Sequence, residues 1–371
     1  MTDRPRVAFF VPNLRVGGAQ RVTVTIANAL ADRGYRIDVV VVRGDGELAT
    51  DVEDAVGYLE LDAEVAPGLG IATCIPELAR YLSRNRPRVL FSQMTHGSLV
   101  ALLAAIFARS GTALFGVEHS EYASADTPRD QLVAATMRHG YRWMDGVVAV
   151  STGVAESVRD ATRVAPSDVE VVYNPIDVDE VREAGAGEPP HRWLAADALD
   201  VVLGVGRFDP RKDYETMIEA FDHLHRHRPS TRLVLLGDGP TRSEIQSQVR
   251  ERALTDVVAF QGSVSNPYVY MTNASVMMLS SRSEGLPTVL VEALACGCPV
   301  VSTDCSTGPR EILDDGAFGE LVSVGDAVAL ARATAQTLDA NVDASRLVSR
   351  AQRYAPGRVV TDYEALIRSV R

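Results

Sequence analysis

The stretch Ser275–Asp304, SVMMLSSRSEGLPTVLVEALACGCPVVSTD, has the pattern of a strand, a helix and a second strand. The runs at its two ends are short and apolar, as in buried strands, and Pro287 between them suits the first turn of a helix. A helix that joins two strands in this way returns the chain to the same end of the sheet, so the strands are parallel. The stretch therefore predicts a parallel sheet covered by helices on both faces.

This alternation of strands and helices continues along all 371 residues, in two series. The first half contains the runs RVAFFV, IDVVVV, RVLFSQ, ALFGVE, GVVAVS and VEVVYN, and the second half contains DVVLGVG, TRLVLLGDG, VVAFQG, SVMMLSS, PVVSTD and GELVSV. Between them, Tyr173–Trp193 is rich in Pro, Gly and acidic residues, which is typical of a linker. We therefore predict two α/β domains, 1–176 and 177–355, with a hinge near Asn174–Asp177, followed by a C-terminal helix over 356–371.

The composition is that of a globular protein whose overall charge does not favour nucleic acid. Hydrophobic residues make up 46% of the chain and the net charge is -12 at pH 7, a sign that opposes binding to a phosphate-rich polymer. The longest apolar stretch, Ser98–Ala108, is well below the roughly 20 residues that span a bilayer, so we expect a buried helix there. The apolar run within MTDRPRVAFFVPNL has no cleavage site after it and predicts a strand. These features favour a cytoplasmic protein.

Two cations and a glycine follow predicted strands of the second half. Arg207 and Lys212 come after DVVLGVG, and Gly237 comes after TRLVLL. Lys212 is the only lysine in a chain rich in arginine. Ligands of open parallel sheets bind beyond the carboxyl ends of the strands, and a compact ammonium on a flexible stem suits some phosphate sites. The cations are therefore candidate phosphate ligands; on composition alone, a lysine that merely survived compositional drift is an equal alternative.

A glutamate lies on each side of the predicted helix start in the opening stretch. The residues around this start are Gly285, Leu286, Pro287 and Thr288. Free N–H groups and the helix dipole favour an anion there, and Glu284 and Glu292 can flank it. A carboxylate beside a phosphate is favourable only if it accepts hydrogen bonds from hydroxyls, which a sugar and a ribose supply. The pattern predicts a nucleotide-sugar site, although for either glutamate alone a helix cap or a solvated side chain remains the alternative.

The order of these motifs resembles that of the retaining nucleotide-sugar glycosyltransferases of family 4. The matching segments are VGRFDPRKDYETMIEAF, LVLLGDGP, FQG, SSRSEGLPTVLVEALACGCPVVSTD and GPREIL in the second half, and GGAQRV, EHS, VVAVS and YNPID in the first. Gln20 in GGAQRV stands where many members have Glu. The resemblance implies the GT-B fold, with two Rossmann-like domains facing across a cleft and a C-terminal helix that returns to the first domain.

The resemblance also implies roles for individual residues. Arg207 and Lys212 would hold the donor diphosphate, Glu284 would meet the donor sugar and Glu292 the ribose. His119 would lie at the reacting centre. The predicted catalytic residues are His119, Arg207, Lys212 and Glu284; the predicted donor-binding residues are Gly17, Gly18, Arg207, Lys212, Gly237, Glu284, Gly285, Leu286, Pro287, Thr288 and Glu292.

The activity implied by the resemblance is transfer of a hexose or N-acetylhexosamine from a nucleotide sugar to a glycan or lipid-linked saccharide. A UDP-sugar is favoured as donor, and a GDP-mannose-dependent mannosyltransferase is the alternative. A non-catalytic nucleotide-sugar-binding protein is a further alternative, and so is a phosphorylase, whose pyridoxal phosphate only Lys212 could hold. No metal or other cofactor is expected.

Three other signals do not predict a metal site. The DVD of Asp177–Asp179 lies at the predicted hinge, and the histidines of HLHRH alternate along a predicted helix end and so point to different faces. The four cysteines lack paired C-x-x-C spacing and are expected in the core. An arginine cluster in the first half is most often a solvated helix end; its members are Arg80, Arg84, Arg86 and Arg88. The alternative is that it meets a lipid-phosphate acceptor and attaches the protein weakly to the inner face of the membrane.

Overall fold

The computed structural model describes residues 4–15, 17–61, 63, 70–122 and 127–370; the first residues of the amino-terminal stretch, 1–3, lie outside this set. The chain forms two compact units, Met1–Pro175 with Pro356–Arg371, and Ile176–Ala355. Each unit has its own sheet and its own apolar core. Across the described ranges, no helix combines the length and the apolar character that a bilayer crossing requires.

The first unit is built on one parallel sheet. Its strands are β1 (Arg6–Val11), β2 (Arg36–Val41), β3 (Gly57–Glu60), β4 (Val89–Gln93), β5 (Ala113–Glu118), β6 (Gly146–Ala149) and β7 (Val169–Val171). They lie in the order β3-β2-β1-β4-β5-β6-β7, and all neighbours are parallel. The helices are α1 (Gly18–Asp32), α2 (Ile75–Asn85), α3 (Met94–Ala108), α4 (Pro128–Gly140) and α5 (Thr152–Ala161). The sequence did not predict β3, because this edge strand alternates between partly buried and exposed positions and has no β-branched residue.

The helix expected over Ser98–Ala108 is present in α3, but the expectation that it is buried is wrong at its end. Ile106 and Phe107 are 61% and 72% exposed, although Val100 and Ala104 are buried. The reason is that α2 and α4 pack along the sides of α3, while the side chains of its last turn face solvent.

The second unit is built on a six-stranded parallel sheet. Its strands are β8 (Asp200–Val205), β9 (Thr231–Leu236), β10 (Val258–Gly262), β11 (Val276–Leu279), β12 (Val300–Thr303) and β13 (Glu320–Val322), in the order β10-β9-β8-β11-β12-β13. The helices are α6 (Val178–Gly185), α7 (Tyr214–His227), α8 (Arg242–Glu251), α9 (Tyr268–Asn273), α10 (Thr288–Ala295), α11 (Pro309–Ile312), α12 (Ala327–Asp339) and α13 (Ala344–Ala351). All six strands predicted for this half are present, and the opening stretch is the unit β11-α10-β12.

The segment predicted as a linker, Tyr173–Trp193, is not without structure. It contains α6, and Asp177 caps this helix by accepting hydrogen bonds from the N–H groups of Asp179 and Glu180 over 3.1 and 3.0 Å. The acidic DVD motif is therefore a helix start, because a carboxylate at the N-cap satisfies N–H groups that have no partner within the helix.

The last helix, α14 (Pro356–Ser369), belongs to the first unit, which confirms the predicted return of the C-terminus. Tyr363 of α14 packs against the ring of Phe91 on β4, with 5.0 Å between ring centroids. Glu364 receives hydrogen bonds from Arg4 and Arg33 over 3.1 and 2.9 Å. The helix thus completes the core of the first sheet with both apolar and polar contacts.

Both sheets have a point at which the order of the strands reverses. In the first sheet the chain moves from β1 to β2 on one side and later to β4 on the other; in the second sheet β8 has β9 on one side and β11 on the other. In open parallel sheets, ligands bind beyond the carboxyl ends of the strands at such a point. The loops after β1, β4, β8 and β11 are therefore where binding residues are expected.

Candidate active site

Lys212 and Glu284 meet in an ion pair at the carboxyl edge of the second sheet. Lys212 ends the 3₁₀ turn Pro210–Lys212 after β8, and Glu284 lies between β11 and α10. The distance from Lys212 Nζ to Glu284 Oε1 is 2.5 Å, and Ser281 Oγ donates a hydrogen bond to the same oxygen over 2.6 Å. The two charged side chains are 22% and 11% exposed. Glu284 is therefore the partner of Lys212 and not the cap of α10, whose N-cap is Pro287 without a side-chain hydrogen bond.

The turn that contains Lys212 is held in place by the chain that follows β11. Ser280 Oγ donates to the Lys212 carbonyl oxygen over 2.8 Å, and the Arg282 N–H donates to the Arg211 carbonyl oxygen over 2.7 Å. Asp213, with a left-handed backbone at φ 49°, caps α7 and pairs with Arg282 Nε over 2.9 Å. These contacts hold the ammonium in position before any ligand binds. They could not be predicted from the sequence, because they join residues about 70 positions apart.

Arg207 and Gly237 follow the neighbouring strands β8 and β9. Arg207 is exposed and takes part in no ion pair within the part of the chain that the structure describes. The Gly237 N–H donates to the Gly262 carbonyl oxygen over 2.7 Å, and a Cβ at Gly237 would collide with the Gly206 carbonyl oxygen. Close packing of the loops after β8 and β9 thus requires glycine at position 237; its contact with a donor stays a prediction.

The start of α10 lies where the sequence predicts an anion site. The helix begins at Thr288, and the loop Gly285–Pro287, which includes Leu286, leads into it. Glu292 lies on the second turn and is partly buried. N–H groups of the first turn of a helix have no partner one turn earlier within the helix, so they can meet an anion. In α10 the Leu290 N–H already donates to the Pro287 carbonyl oxygen over 2.9 Å, so the candidate donors are the N–H groups of Thr288 and Val289.

A second loop, after β12, supports the one that leads into α10. Gly308 has φ 89°, and a Cβ there would collide with the Pro287 ring. The hydroxyl of Thr307 donates to the Glu284 carbonyl oxygen. Position 308 therefore needs a glycine both for its backbone conformation and for the close approach of the two loops.

In the first unit, the predicted residues also lie at the carboxyl edge of the sheet. Gly17 is the N-cap of α1 and Gly18 its first residue, after β1. His119 follows β5, and its Nε2 lies 2.7 Å from Oε1 of the buried Gln93 at the end of β4. Because the amide oxygen accepts, Nε2 carries the proton and Nδ1 can accept a hydrogen bond from a hydroxyl. Burial lowers the pKa of His119 to about 4, so its imidazole is neutral near pH 7.

Glu118, next to His119, is a buried carboxyl in a hydrogen-bonded cluster. The hydroxyl of Tyr141 donates to its Oε1, and Thr95 Oγ1 donates to its Oε2 over 2.9 Å. Burial raises the pKa of Glu118 to about 7, against these hydrogen bonds, which lower it. Met94, at φ 64°, turns the chain between Gln93, which contacts His119, and Thr95, which contacts Glu118. A strained backbone at such a turn is common at functional sites. The EHS segment marks Glu118 and His119 in the sequence, whereas Gln93 and Thr95 are indicated only by their position after a strand at the reversal point.

The residues considered for metal binding do not come together. In the described ranges, no group of three or more His, Cys, Asp or Glu side chains could hold a metal ion. His225 of the HLHRH tract instead contacts Thr231 Oγ1 through Nδ1 over 3.3 Å. Three cysteines are buried and Cys296 is partly buried, all with free thiols.

Sequence profiles of two families match most of the chain. Residues 16–180 match the description "Glycosyltransferase Family 4", and residues 191–354 match "Glycosyl transferases group 1". The first match covers most of the first unit and the second match covers most of the second unit.

Individual relatives agree with these matches. The N-acetylgalactosamine-N,N'-diacetylbacillosaminyl-diphospho-undecaprenol 4-alpha-N-acetylgalactosaminyltransferase of Campylobacter jejuni is 33% identical over 50% of this chain and 48% of its own length, so about half of that relative is matched. The lipopolysaccharide core biosynthesis glycosyltransferase LpsE of Rhizobium meliloti is 29% identical over 92% of both chains. The structure of Anabaena HepE in complex with UDP-glucose superposes with a TM-score of 0.82 at 19% identity, over 99% of this chain and 100% of that one, which shows a shared fold.

The two profile matches agree with the two parallel sheets and with the C-terminal helix that packs on the first of them. The chain therefore belongs to the glycosyl transferases of group 1 and family 4, with the GT-B fold.

Proposed function

We propose that this protein transfers a hexose or an N-acetylhexosamine from a UDP-sugar to a glycan or a lipid-linked saccharide, with retention of the anomeric configuration. The observation that supports the proposal most strongly is the partly buried pair of Lys212 and Glu284 beside the start of α10. One loop system thus offers a cation and helix N–H groups to a diphosphate, and a carboxylate to the hydroxyls of a sugar.

The proposed role of the cations follows from where charge develops. When the bond between the anomeric carbon and the phosphate oxygen breaks, the negative charge on the leaving diphosphate increases. Lys212, Arg207 and the first N–H groups of α10 would stabilise this charge, and groups fixed in advance lower the barrier most effectively. The acceptor hydroxyl attacks the anomeric carbon on the face that the diphosphate leaves, and its proton passes to a phosphate oxygen. No separate carboxylate base is required.

Three side chains are proposed to orient the donor. The carboxylate of Glu284 accepts hydrogen bonds from the sugar and that of Glu292 accepts them from the ribose. His119 is neutral near pH 7, so its Nδ1 can accept a hydrogen bond from a hydroxyl of the donor sugar. The backbone at Gly17 and Gly18 has no side chain to obstruct a ligand, which is the reason we assign it to donor binding.

The choice of donor and acceptor rests on the relatives. The Anabaena protein of the same fold is in complex with UDP-glucose, and the Campylobacter relative is named for transfer of N-acetylgalactosamine to a saccharide on diphospho-undecaprenol. The first name supports a UDP-sugar, and the second supports an N-acetylhexosamine and a lipid-linked acceptor.

A screen of nucleotide sugars tests the proposal. The melting temperature and the rate of donor consumption would be measured with UDP-glucose, UDP-galactose, their N-acetyl derivatives and GDP-mannose. A donor at a hundred times its Kd stabilises the fold by about 2.7 kcal/mol, and we expect that shift with at least one UDP-sugar. Stabilisation by GDP-mannose alone would favour the alternative, a GDP-mannose-dependent mannosyltransferase. Stabilisation without turnover on any acceptor would indicate a non-catalytic binding protein.

A further inference from the structure

Four large apolar side chains are exposed on the first unit. They are Ile106 and Phe107 at the end of α3, Leu132 on α4 and Trp143 in the 3₁₀ turn Tyr141–Trp143, with 61%, 72%, 69% and 72% of their surfaces exposed. Among the large hydrophobic residues of the described ranges, the only other one above 60% is Val328 of the second unit. We call these four side chains the apolar ridge.

The members of the ridge lie on neighbouring helices that run in the same direction. His96 Nε2 and Asp130 Oδ1, near the starts of α3 and α4, are 3.2 Å apart, and Leu102 lies beside Gly140 at the end of α4. The last turn of α3 and the turn after α4 therefore lie at the same end of the unit. Leu132 and Trp143 are about three helical turns apart, which places them on one face of α4 and its extension.

The character of α3 explains why the ridge is unusual. The segment from Ser98 to Ala108 is apolar on every face, a pattern typical of helices that are surrounded by protein or lipid. Leu99, Leu102 and Leu103 are only partly buried in the unit, in addition to the exposed last turn. Large exposed apolar patches on monomeric proteins mark interaction sites.

Arginines surround the same end of the unit. The exposed members of this arginine rim are Arg84, Arg86, Arg109, Arg138 and Arg142. None of them takes part in an ion pair in the described part of the chain. Ser83 Oγ donates to the Ala108 carbonyl oxygen over 3.2 Å, which brings the end of α2 and its arginines to the end of α3. The guanidinium carbon of Arg142 lies 5.7 Å from the centroid of the Trp143 ring, so charge and apolar surface are adjacent.

The local charge is opposite to that of the whole protein. Between Ile75 and Trp143 the sequence has eight Arg and five Asp or Glu, whereas the whole chain has a net charge of -12. Two of these acids are already paired, Glu77 with Arg80 and Asp130 with His96, and Glu118 is buried. The rim therefore presents positive charge.

We propose that the apolar ridge and the arginine rim form a surface that docks on anionic lipid. Tryptophan and phenylalanine insert at the boundary between headgroups and acyl chains, while arginine is attracted to anionic headgroups. A second copy of this chain is the weaker fit, because a symmetric interface would place one arginine rim against another. This surface differs in part from the arginine cluster expected from the sequence, of which only Arg84 and Arg86 belong to it. Arg80 instead pairs with Glu77. Arg88 donates hydrogen bonds to the carbonyl oxygens of Ile367 and Val370 in the C-terminal segment.

Vesicle binding by the full chain tests this proposal independently of the donor. Phosphatidylcholine vesicles with and without phosphatidylglycerol would be floated with the wild type, Phe107→Ser/Trp143→Ser and Arg138→Glu/Arg142→Glu. We expect the wild type to bind only the anionic vesicles, and each double variant to lose at least about tenfold in partitioning. The matched control is Val328→Ser/Arg332→Glu on α12, which changes an exposed apolar residue and an exposed arginine elsewhere and should bind as the wild type does.

Tryptophan fluorescence gives a second readout of the same surface. The chain has two tryptophans, and Trp193 is buried whereas Trp143 is exposed. Anionic vesicles should shift the emission of the wild type to shorter wavelength and leave that of Trp143→Phe unchanged. Unchanged melting temperatures would establish that the variants fold. Absence of vesicle binding by the wild type, binding by the ridge variants at the wild-type level, or a dimer that only the ridge variants lose would each overturn the proposal.

Discussion

The single lysine of this chain lies at a position where its charge has a defined partner. Lys212 Nζ and Glu284 Oε1 are 2.5 Å apart, and hydrogen bonds from the Ser280 hydroxyl and the Arg282 N–H hold the turn that carries the lysine. An arginine would extend further and spread its charge over a planar group, so it would not replace the ammonium beside Glu284. At this scale, the proposed role of Lys212 depends on a compact charge in a fixed place.

Replacement of Lys212 tests that role. Lys212→Ala should lower kcat/KM by roughly 10²- to 10³-fold, about 3 to 4 kcal/mol, as when one donor to a developing charge is removed. Steady-state kinetics with the preferred UDP-sugar would measure the loss. The control is Arg211→Ala, which removes a neighbouring exposed cation that pairs with Asp209. The kcat/KM of this variant should stay within about threefold of the wild-type value. Near-normal turnover by Lys212→Ala would exclude the proposed role.

The buried carboxyl of Glu118 makes the stability of the fold depend on pH, in a direction that follows from its raised pKa. Burial raises its pKa in the folded protein to about 7 from an ordinary value of 4.5. The unfolded chain therefore loses this proton at lower pH than the folded chain does, and the stabilising contribution of the protonated group disappears as pH rises from 4.5 through 7.

Glu118→Gln should remove this dependence, because the amide remains uncharged. Relative to the variant, the wild type should lose roughly 3 kcal/mol of unfolding free energy between pH 4.5 and 7.5, at about 1.4 kcal/mol per pH unit over the interval between the two pKa values. Urea unfolding at a series of pH values would measure the difference. Parallel pH curves for the two proteins would contradict an elevated pKa.

At the scale of elements, the loop after β12 supports the loop that contains Glu284. Gly308→Ala would introduce a Cβ against the Pro287 ring at a positive φ, so we expect a loss of about 1 to 3 kcal/mol in stability and weaker donor binding. The control is Gly325→Ala, which has φ 77° and no atom within 4 Å of the added Cβ. Melting temperatures and donor titrations of the two variants would separate backbone strain from collision. Equal effects of both changes would show that the collision is unimportant.

The residue pattern of each strand and helix explains whether that element could be predicted from the sequence. The strands of both sheets were predictable where apolar β-branched runs are continuous, as in VVLGV and RVAFFV, because buried parallel strands require that composition. The strand β3 and the helix α6 were missed: β3 has a half-exposed alternation, and α6 lies in a segment whose Pro and Gly content is typical of loops.

The residues of the candidate site were easier to predict from the sequence than the contacts between them. Lys212 and Glu284 were recognised from strand ends and a helix start, but their direct pairing was not, since it depends on the neighbouring positions of β8 and β11 in the sheet. Gln93, Thr95 and Tyr141 carry no motif of their own, and only the fold brings them to His119 and Glu118.

At the scale of the whole molecule, each unit combines a parallel sheet with candidate binding loops at its carboxyl edge. The first unit depends on α14 to complete its core, where Tyr363 contacts Phe9 and Phe91. The same unit carries the apolar ridge and arginine rim on the outside of α3 and α4. A family member that acts on a lipid-linked saccharide would gain from such a surface, because docking raises its concentration at the membrane where that acceptor lies.

We propose above all that the second unit binds the diphosphate of a nucleotide sugar. A crystal structure of the protein with a UDP-sugar tests it most directly. We predict phosphate oxygens within hydrogen-bond distance of Lys212 Nζ, the Arg207 guanidinium and the first N–H groups of α10, with the sugar at Glu284 and the ribose at Glu292. A nucleotide bound elsewhere, with the pair of Lys212 and Glu284 untouched, would contradict the account.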